Sequence, residues 1–394
     1  MQEFRFSKGT LISLVVLFSF FISICLGVII YPLILNFHNS IEFETYKYLV
    51  PFLILVVLFL LLAIYDLIKY KVIIDHEKIA LQSFFSNREI YLHEIKGYRE
   101  TEKKTLKIES KNEYQKNIET SQYFTNQEIK YWLIENNYPN LDDLKFEQES
   151  ASILKNDSFG ANENERELNL QKAKSVSKAI NIIGVLISIW ILFYPNPYKY
   201  AIVCGILFPI LSLFIYKYFN GLIKIGEAKK SPFPSIYISL ILVTFSLILR
   251  QIFDFKLVDY SLPINYSILG SFVLLGIIFF KNEEFSFTSL KYLSSILSVS
   301  IMTFLFCYSS IILVNCSFDK SNPDIFFPKV LNKNISKGKH TSYNIRLSPW
   351  GPIKKEEEES ISKIEYEQMK INDSVEIYLM NGKYEISWYE IFVK

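Results

Sequence analysis

The sequence predicts an integral membrane α-helical bundle of about seven spanning helices that carries two small β-containing modules outside the lipid. Three observations predict it. Half of the 394 residues are hydrophobic, and they are bunched into long uncharged runs, whereas a soluble chain disperses them. Residues 70–178, between the second and third runs, hold no such run. Residues 316–394 are again too polar for lipid.

The runs come first. An α-helix rises 1.5 Å per residue, so about 20 apolar residues cross the ~30 Å hydrocarbon core. Leu11 to Tyr31 meets that length without a charge. It is too long for a signal-peptide core and has no small-residue cleavage pattern, so it reads as a retained anchor. Leu49 to Tyr65 follows, with Pro51 in its first turn, where the missing N–H is tolerated. Further runs span Ala179–Tyr194, Tyr200–Tyr216, Pro234–Leu249, Ile264–Phe280 and Tyr292–Val314. The shorter ones need flanking residues or local thinning of the bilayer to span. The count is therefore seven, with six and eight as neighbouring alternatives.

Basic residues in short connections set orientation. With a cytoplasmic N-terminus, Arg5, Lys8, Lys217, Lys224, Lys229, Lys230, Lys281 and Lys291 fall on the cytoplasmic side. The opposite side receives only Lys47, Lys199, Arg250 and Lys256. Lys69 and Lys71 after the second run, and Lys172, Lys174 and Lys178 before the third, agree. The expectation is a multi-pass cell-membrane protein with its N-terminus inside and its C-terminus outside.

What the runs lack is equally informative. Ionisable groups inside lipid mark ion paths, proton relays and intramembrane active sites. These runs have none in their interiors; Asp66 and Arg250 lie at ends, as do the amides Asn181 and Asn265. Ser13, Ser19 and Ser23, and Ser294, Ser295 and Ser298, form small-polar stripes of the kind helix packing uses. Pro209 offers a kink in the fourth run. A coupled ion transporter is disfavoured. Cys25, Cys204, Cys307 and Cys316 contain no CxxC, so neither a disulfide framework nor a zinc site is expected, and Cys316 is too far along the chain for a lipidation box. A net charge of +2 gives no case for nucleic acid.

Residues 70–145 read as a cytoplasmic β+α module. Short β-type segments recur at 70–74, 79–84, 89–92, 105–110 and 117–124. A helix follows: Thr125 and Glu128 have capping-box spacing, and Ile129, Trp132 and Leu133 make an apolar stripe. A strand directly after a membrane helix, the mid-module segment YLHEIKGY (91–98) and the closing helix NQEIKYWLIENN (126–137) resemble the bacterial pleckstrin-homology-like (PH-like) domains of membrane proteins. The resemblance covers about a fifth of the chain and implies a bent antiparallel sheet plugged by one helix, not a ligand. Lys103-Lys104 is offset by Glu100 and Glu102, leaving no visible phosphate pocket. His93 and Glu94 are ordinary neighbours on a strand or turn, since adjacent strand residues face opposite ways. Residues 146–178 read as a charged helical stalk with a solvated surface.

Residues 316–394 read as an extracytoplasmic β-rich domain. HTSYNIRLSPW (340–350) has strand character and ends in a turn at Ser348–Pro352, and Lys354 to Glu359 reads as an exposed loop. SKIEYEQMKINDS (362–374) is expected to hold a short helix or turn. SVEIYLM (374–380) and YEISWYEIFV (384–393) form a predicted hairpin across Asn381-Gly382. The order of LSPWGP, YEQMKINDSVEIYL and SWYEI resembles the C-terminal tail of bacterial membrane proteins of similar layout, which implies no activity. Asn334-Ile335-Ser336 matches a glycosylation triplet that an Asn-rich chain makes readily. His340 is the only histidine here, Asp319, Asp324 and Asp373 lack metal-ligand spacing, and no GxSxG occurs. Trp350, Trp388 and Tyr389 are expected in an aromatic core.

The organisation expected is thus two membrane helices (1–69), a PH-like domain (70–145), a stalk (146–178), five membrane helices (179–315) and a β-rich domain (316–394). No catalytic, cofactor-binding or metal-ligating residues are assigned. The lipid bilayer is the expected partner, with protein partners of unassigned identity. The functional expectation is a non-enzymatic scaffold, assembly or sensing protein; the alternative is a transporter of a small or apolar substrate.

Overall fold

The computed structural model divides into two units, Met1–Ser150 and Ala151–Lys394. It describes all residues except 36–39, 102–103, 113, 227–229, 281, 283, 286–289, 338–340 and 393–394; side chains at 31–35, 40–48, 290–292 and 337 also fall outside the described set. Glu102, Lys103, Lys229, Lys281 and His340, and the side chains of Lys47 and Lys291, therefore lie outside the described residues.

In the first unit, β1 (Gln2–Arg5) precedes two long helices, α1 (Lys8–Leu35) and α2 (Ser40–Lys69). Strands β2 (Lys71–Ile74), β3 (Lys78–Gln82) and β4 (Asn87–Tyr91) follow, then β5 (Ile95–Glu100), β6 (Leu106–Ser110), β7 (Ile118–Glu119) and helix α3 (Asn126–Glu135). Helix α4 (Leu141–Lys155) begins after a short turn. The strands form two antiparallel sheets, ordered β1-β2-β3-β4 and β5-β6-β7. Period-two alternation explains their packing. Val72 and Ile74, Ile79 and Leu81, and Leu106 and Ile108 turn inward and meet Ile129 and Leu133 of α3 in one core.

Three local features differ from the sequence reading. The N-terminal strand, too short to stand out, pairs with β2 from Gln2↔Ile74 to Arg5↔Lys71. Segment 117–124 keeps only two strand residues, because the Thr120 hydroxyl bonds the Leu106 backbone and the chain then turns. The predicted capping box at Thr125 does not form; its hydroxyl instead donates to the Arg5 carbonyl at 2.9 Å, tying β1 to the start of α3. Phe6, Tyr70 and Phe124 stack where the helical hairpin leaves and rejoins the module, with ring centroids 5.1–5.2 Å apart. Burial raises the Tyr70 phenol to about 12. Gly97, at φ +153°, lets the chain pass Pro139, whose carbonyl lies 2.5 Å from where a Cβ would sit.

The second unit holds α5 (Glu163–Phe193), α6 (Tyr198–Tyr218), α7 (Tyr237–Asp254), β8 (Lys256–Leu257), α8 (Ser261–Phe279) and α9 (Leu290–Ser317). Asn162 caps α5 by accepting from Glu165 N at 2.9 Å, and the charged first half runs unbroken into the apolar second half. Among the described residues seven helices are long and apolar enough to cross a membrane, two in the first unit and five in the second. That is compatible with a multi-pass membrane protein. Small residues let α5 and α7 approach, the Gly184 Cβ position lying 2.4 Å from the Ser239 side chain. The serine stripes expected to pack do not: Ser13, Ser19, Ser23, Ser294, Ser295 and Ser298 are all exposed. Packing falls instead on Ser177 and Ser188 of α5, Ser239 and Ser246 of α7 and Ser267 and Ser271 of α8, which are buried. Helix α6 continues through Pro209.

Polar clasps close both ends of this bundle. At one end Arg250 donates to the carbonyls of Ile191 (2.6 Å) and Leu192 (2.5 Å), completing the C-terminus of α5, and Tyr198 donates to Asp254 at 2.7 Å. At the other, the Glu284 carboxylate accepts from Ile225 N, Gly226 N and the Tyr216 hydroxyl at 2.7–3.1 Å. Lys217 donates there to the carbonyls of Ile278 and Phe280.

The chain ends in β9 (Asp324–Phe326), β10 (Val330–Lys337), β11 (Thr341–Leu347), β12 (Glu357–Ile361), α10 (Lys363–Gln368), β13 (Glu376–Met380) and β14 (Trp388–Phe392). One sheet is β10-β11-β12 and the other β8-β14-β13-β9. Val330, Ile345, Leu347, Trp350, Ile377 and Tyr389 pack together between them as a sandwich core. The second sheet takes an edge strand from the α7–α8 connection, Trp388 pairing with Leu257. Helix α10 carries a complete Ser362/Glu365 capping box. The expected exposed loop at Lys354–Glu359 is a loop only to Glu356; from Glu357 on it is strand, because Glu357, Glu359 and Ile361 alternate inward against β11. The hairpin of β13 and β14 exists, with Met380 opposite Trp388, but Asn381-Gly382 is not its two-residue turn. Residues 381–387 instead reach the end of α9.

Candidate functional site

Glu357 and Glu359 stand two apart on β12 and so share the inward face. Glu359 is only 5% exposed. The Tyr389 hydroxyl, from the facing sheet, lies 2.8 Å from Glu359 Oε1 and 3.1 Å from Glu357 Oε1. Lys256 of β8 pairs with the other oxygen of Glu359. One phenolic proton cannot serve two carboxylates. The Tyr389 hydroxyl bridges the two carboxyl groups, and Lys256 lies against the far oxygen of Glu359. Burial and then the Glu359 charge raise the Glu357 carboxyl above its ordinary value. Burial and both carboxylates likewise push the Tyr389 phenol upward, so its proton stays in place. Trp350 packs edge-on to Tyr389 at 5.1 Å. Trp350 Nε1 and Glu357 Oε2 are buried and complete no hydrogen bond. The four residues form a buried polar cluster between the two sheets.

Beside it, Asn315 and Asp319 clasp the loop between β13 and β14. Asn315 Nδ2 donates to Ile386 O (2.8 Å), and its Oδ1 accepts from Tyr384 N (2.8 Å). Asp319 Oδ2 accepts from Gly382 N (2.8 Å) and Trp388 Nε1 (2.9 Å), while Oδ1 accepts from Ser321 N (2.7 Å). Burial raises the Asp319 carboxyl, but these bonds outweigh it and hold the group below its ordinary value. Gly382 (φ +79°) has no room for a side chain, since its Cβ position lies 2.4 Å from both Asn315 Nδ2 and Ile386 O. The sandwich is thereby fixed to the last helix without a free linker.

Other residues singled out in the sequence stay apart. His93 and Glu94 sit on a short 3-10 turn, where His93 stacks on Tyr91 and both backbone carbonyls accept from Lys111. Glu100 pairs with Lys130. Asp373 closes a turn through Lys370 N, and Asp324 is exposed. Among the described residues no group of His, Cys, Asp and Glu could hold a metal ion. The four cysteines are free. Trp350, Trp388 and Tyr389 are all buried, each with a polar tip that the aromatic-core reading did not anticipate. Glu357, Glu359 and Lys256 were missed. The one available signal was the alternation of EEEESI once a strand is allowed there.

The cavity between α6, α7, α8 and α9 is about 30 Å³, lined by Leu213, Leu240, Leu274 and Phe306 among others, which is room for about one water molecule.

No family model, curated protein or solved structure matches the chain.

Proposed function

We propose that the protein is a non-enzymatic membrane protein that serves scaffolding, assembly or sensing, with a PH-like module in the cytoplasm and the β-sandwich outside. The fixing of the sandwich to α9 and to the α7–α8 connection carries this reading. A module held by side-chain and strand bonds passes any force or titration on it to the helices; a tethered domain would not. Four strands, three strands and a closing helix around one core support the PH-like assignment of the first module. The excess of basic residues in alternate connections supports a cytoplasmic N-terminus. The alternative, transport through the helices, needs a passage far wider than a cavity of about 30 Å³.

The test is photo-crosslinking in the native membrane from exposed positions on each module, Tyr123 and Ile364. Discrete protein adducts specific to each position are expected. Adducts to lipid alone, or none at either position, would overturn the reading.

A further inference from the structure

We propose that the open groove between α5 and the start of α7 holds one anionic phospholipid, its phosphate at Lys174 and Lys178 and an acyl chain along Ile182, Val185 and Leu186. The proposal rests on the membrane reading above. The groove measures about 570 Å³ and no acidic residue lines it. It is open on the side of α7 because that helix begins only at Tyr237; the segment just before it, with Pro234 and Ser235, is not helical and lines the groove.

The floor is built and saturated. Ser177, 2% exposed, and Asn181 both donate to the Ser235 carbonyl at 2.7 Å, and Asn181 Oδ1 accepts from Ser239 N. These polar groups are used up and ask nothing of a ligand. The two lysines are different. They stand one turn apart on the same face, both exposed, and neither has an ion pair or hydrogen bond among the described residues.

Below them the wall turns apolar. Ile182 and Leu186 are exposed, and Ile238 of α7 faces the same groove. From Lys178 to Leu186 the helix advances roughly 12 Å, enough for most of the upper half of an acyl chain in one leaflet. Paired cations above a concave apolar wall match an anionic lipid in charge and in order along the bilayer normal. Interfacial lysines that merely snorkel need no groove beneath them. An uncharged detergent-like chain would leave the cations unmatched.

The experiment uses the full chain in nanodiscs of phosphatidylcholine with a minority of phosphatidylglycerol, followed by native mass spectrometry of retained lipid. Wild type should keep one phosphatidylglycerol in preference to phosphatidylcholine. K174Q/K178Q should weaken that retention roughly 30-fold, the factor for about 1 kcal/mol from each lysine near an anionic headgroup. K174R/K178R should preserve it, and V185W, which fills the groove without touching the charge, should abolish it. Equal retention of both lipids, or indifference to K174Q/K178Q and V185W alike, overturns the proposal. Displacement by millimolar inorganic phosphate with the chain site unaffected by V185W overturns it too, assigning the lysines to a soluble anion. Failure of the protein to enter nanodiscs at all would instead strike the membrane reading.

Discussion

Replacing Tyr389 by Phe tests the buried Glu357–Tyr389–Glu359 cluster most directly. The substitution keeps the ring, its packing on Trp350 and its place on β14, and removes one hydroxyl. That hydroxyl makes a 2.8 Å bond to ionised Glu359 and a 3.1 Å contact with Glu357. A bond to a charged group contributes about 1.5–3 kcal/mol and a neutral one about 1 kcal/mol. Without the bridge, Glu359 also loses a donor in a site where it is almost inaccessible to water. The expected loss is about 3 kcal/mol of local stability, or roughly 100-fold more frequent opening of the sandwich. Hydrogen exchange read by mass spectrometry on the full chain in detergent resolves this, because β12 and β14 amides report on the sandwich and α5 amides serve as an internal control. Protection should fall in β12, β14 and the paired β11 and stay constant in α5. A change below about threefold across those strands would show that Tyr389 is only a core aromatic and that its hydroxyl does not hold the two carboxyl groups together.

Further expectations follow from the same contacts. The Glu357 carboxyl is raised in the fold, so its contribution is complete below the ordinary carboxylate value of about 4.3 and is lost as pH rises through the raised value. Protection of β12, corrected for intrinsic exchange, should therefore decline with rising pH over that window, and Glu357→Gln should flatten the decline. Gly382→Ala forces a side chain into the Asn315 clasp at positive φ; a drop of several degrees in the melting temperature of the purified protein is expected, and an unchanged value would refute the clasp. Phe6→Ala removes a ring 7% exposed from the junction of β1, Tyr70 and Phe124 and should cost the first module about 3–5 kcal/mol, measured by urea unfolding followed at Trp132.

The helices were legible because apolar length is a one-dimensional property: each run in the sequence overlaps a helix of the structure, some lengthened at their ends by residues such as Lys217 that carry polar work there, while Pro234, Ser235 and Ile236 of the fifth run stay outside α7. Most strands of the first module and the β13–β14 pairing were legible through alternation. What escaped were features set by distant partners. Gln2–Arg5 is a strand only because β2 offers an edge, and Lys256–Leu257 only because β14 does. The EEEESI segment misled for a related reason: charge normally signals exposure, and only the facing Tyr389 and Lys256 make two buried glutamates tolerable. Conversely the serine stripes of α1 and α9 were visible but unused, since composition shows which residues can pack closely and not which face meets a neighbour.

Both β-modules share a construction that bears on topology. In the first unit β1 is separated from its partner β2 by the hairpin of α1 and α2. In the second, β8 is separated from the module it joins by the hairpin of α8 and α9. A strand can pair across such a hairpin only if the two helices make an even number of crossings, so each hairpin must leave and return on one side. Were α1 to stay out of the bilayer while α2 crossed it, Gln2–Arg5 and Lys71–Ile74 would lie on opposite faces and the sheet could not close. Closure of the first module therefore requires that α1 and α2 either both cross a bilayer or both stay out of it. The consequence is measurable: a single cysteine at Gln2 and one at Glu77 should label from the same side of sealed vesicles as each other, and so should cysteines at Asp259 and Ile364; under the proposed topology the two pairs label from opposite sides. Labelling of Gln2 and Glu77 from opposite sides would contradict the β1–β2 register itself, which makes the strand pairing, more than the count of apolar runs, the firmer constraint on how this chain threads a membrane.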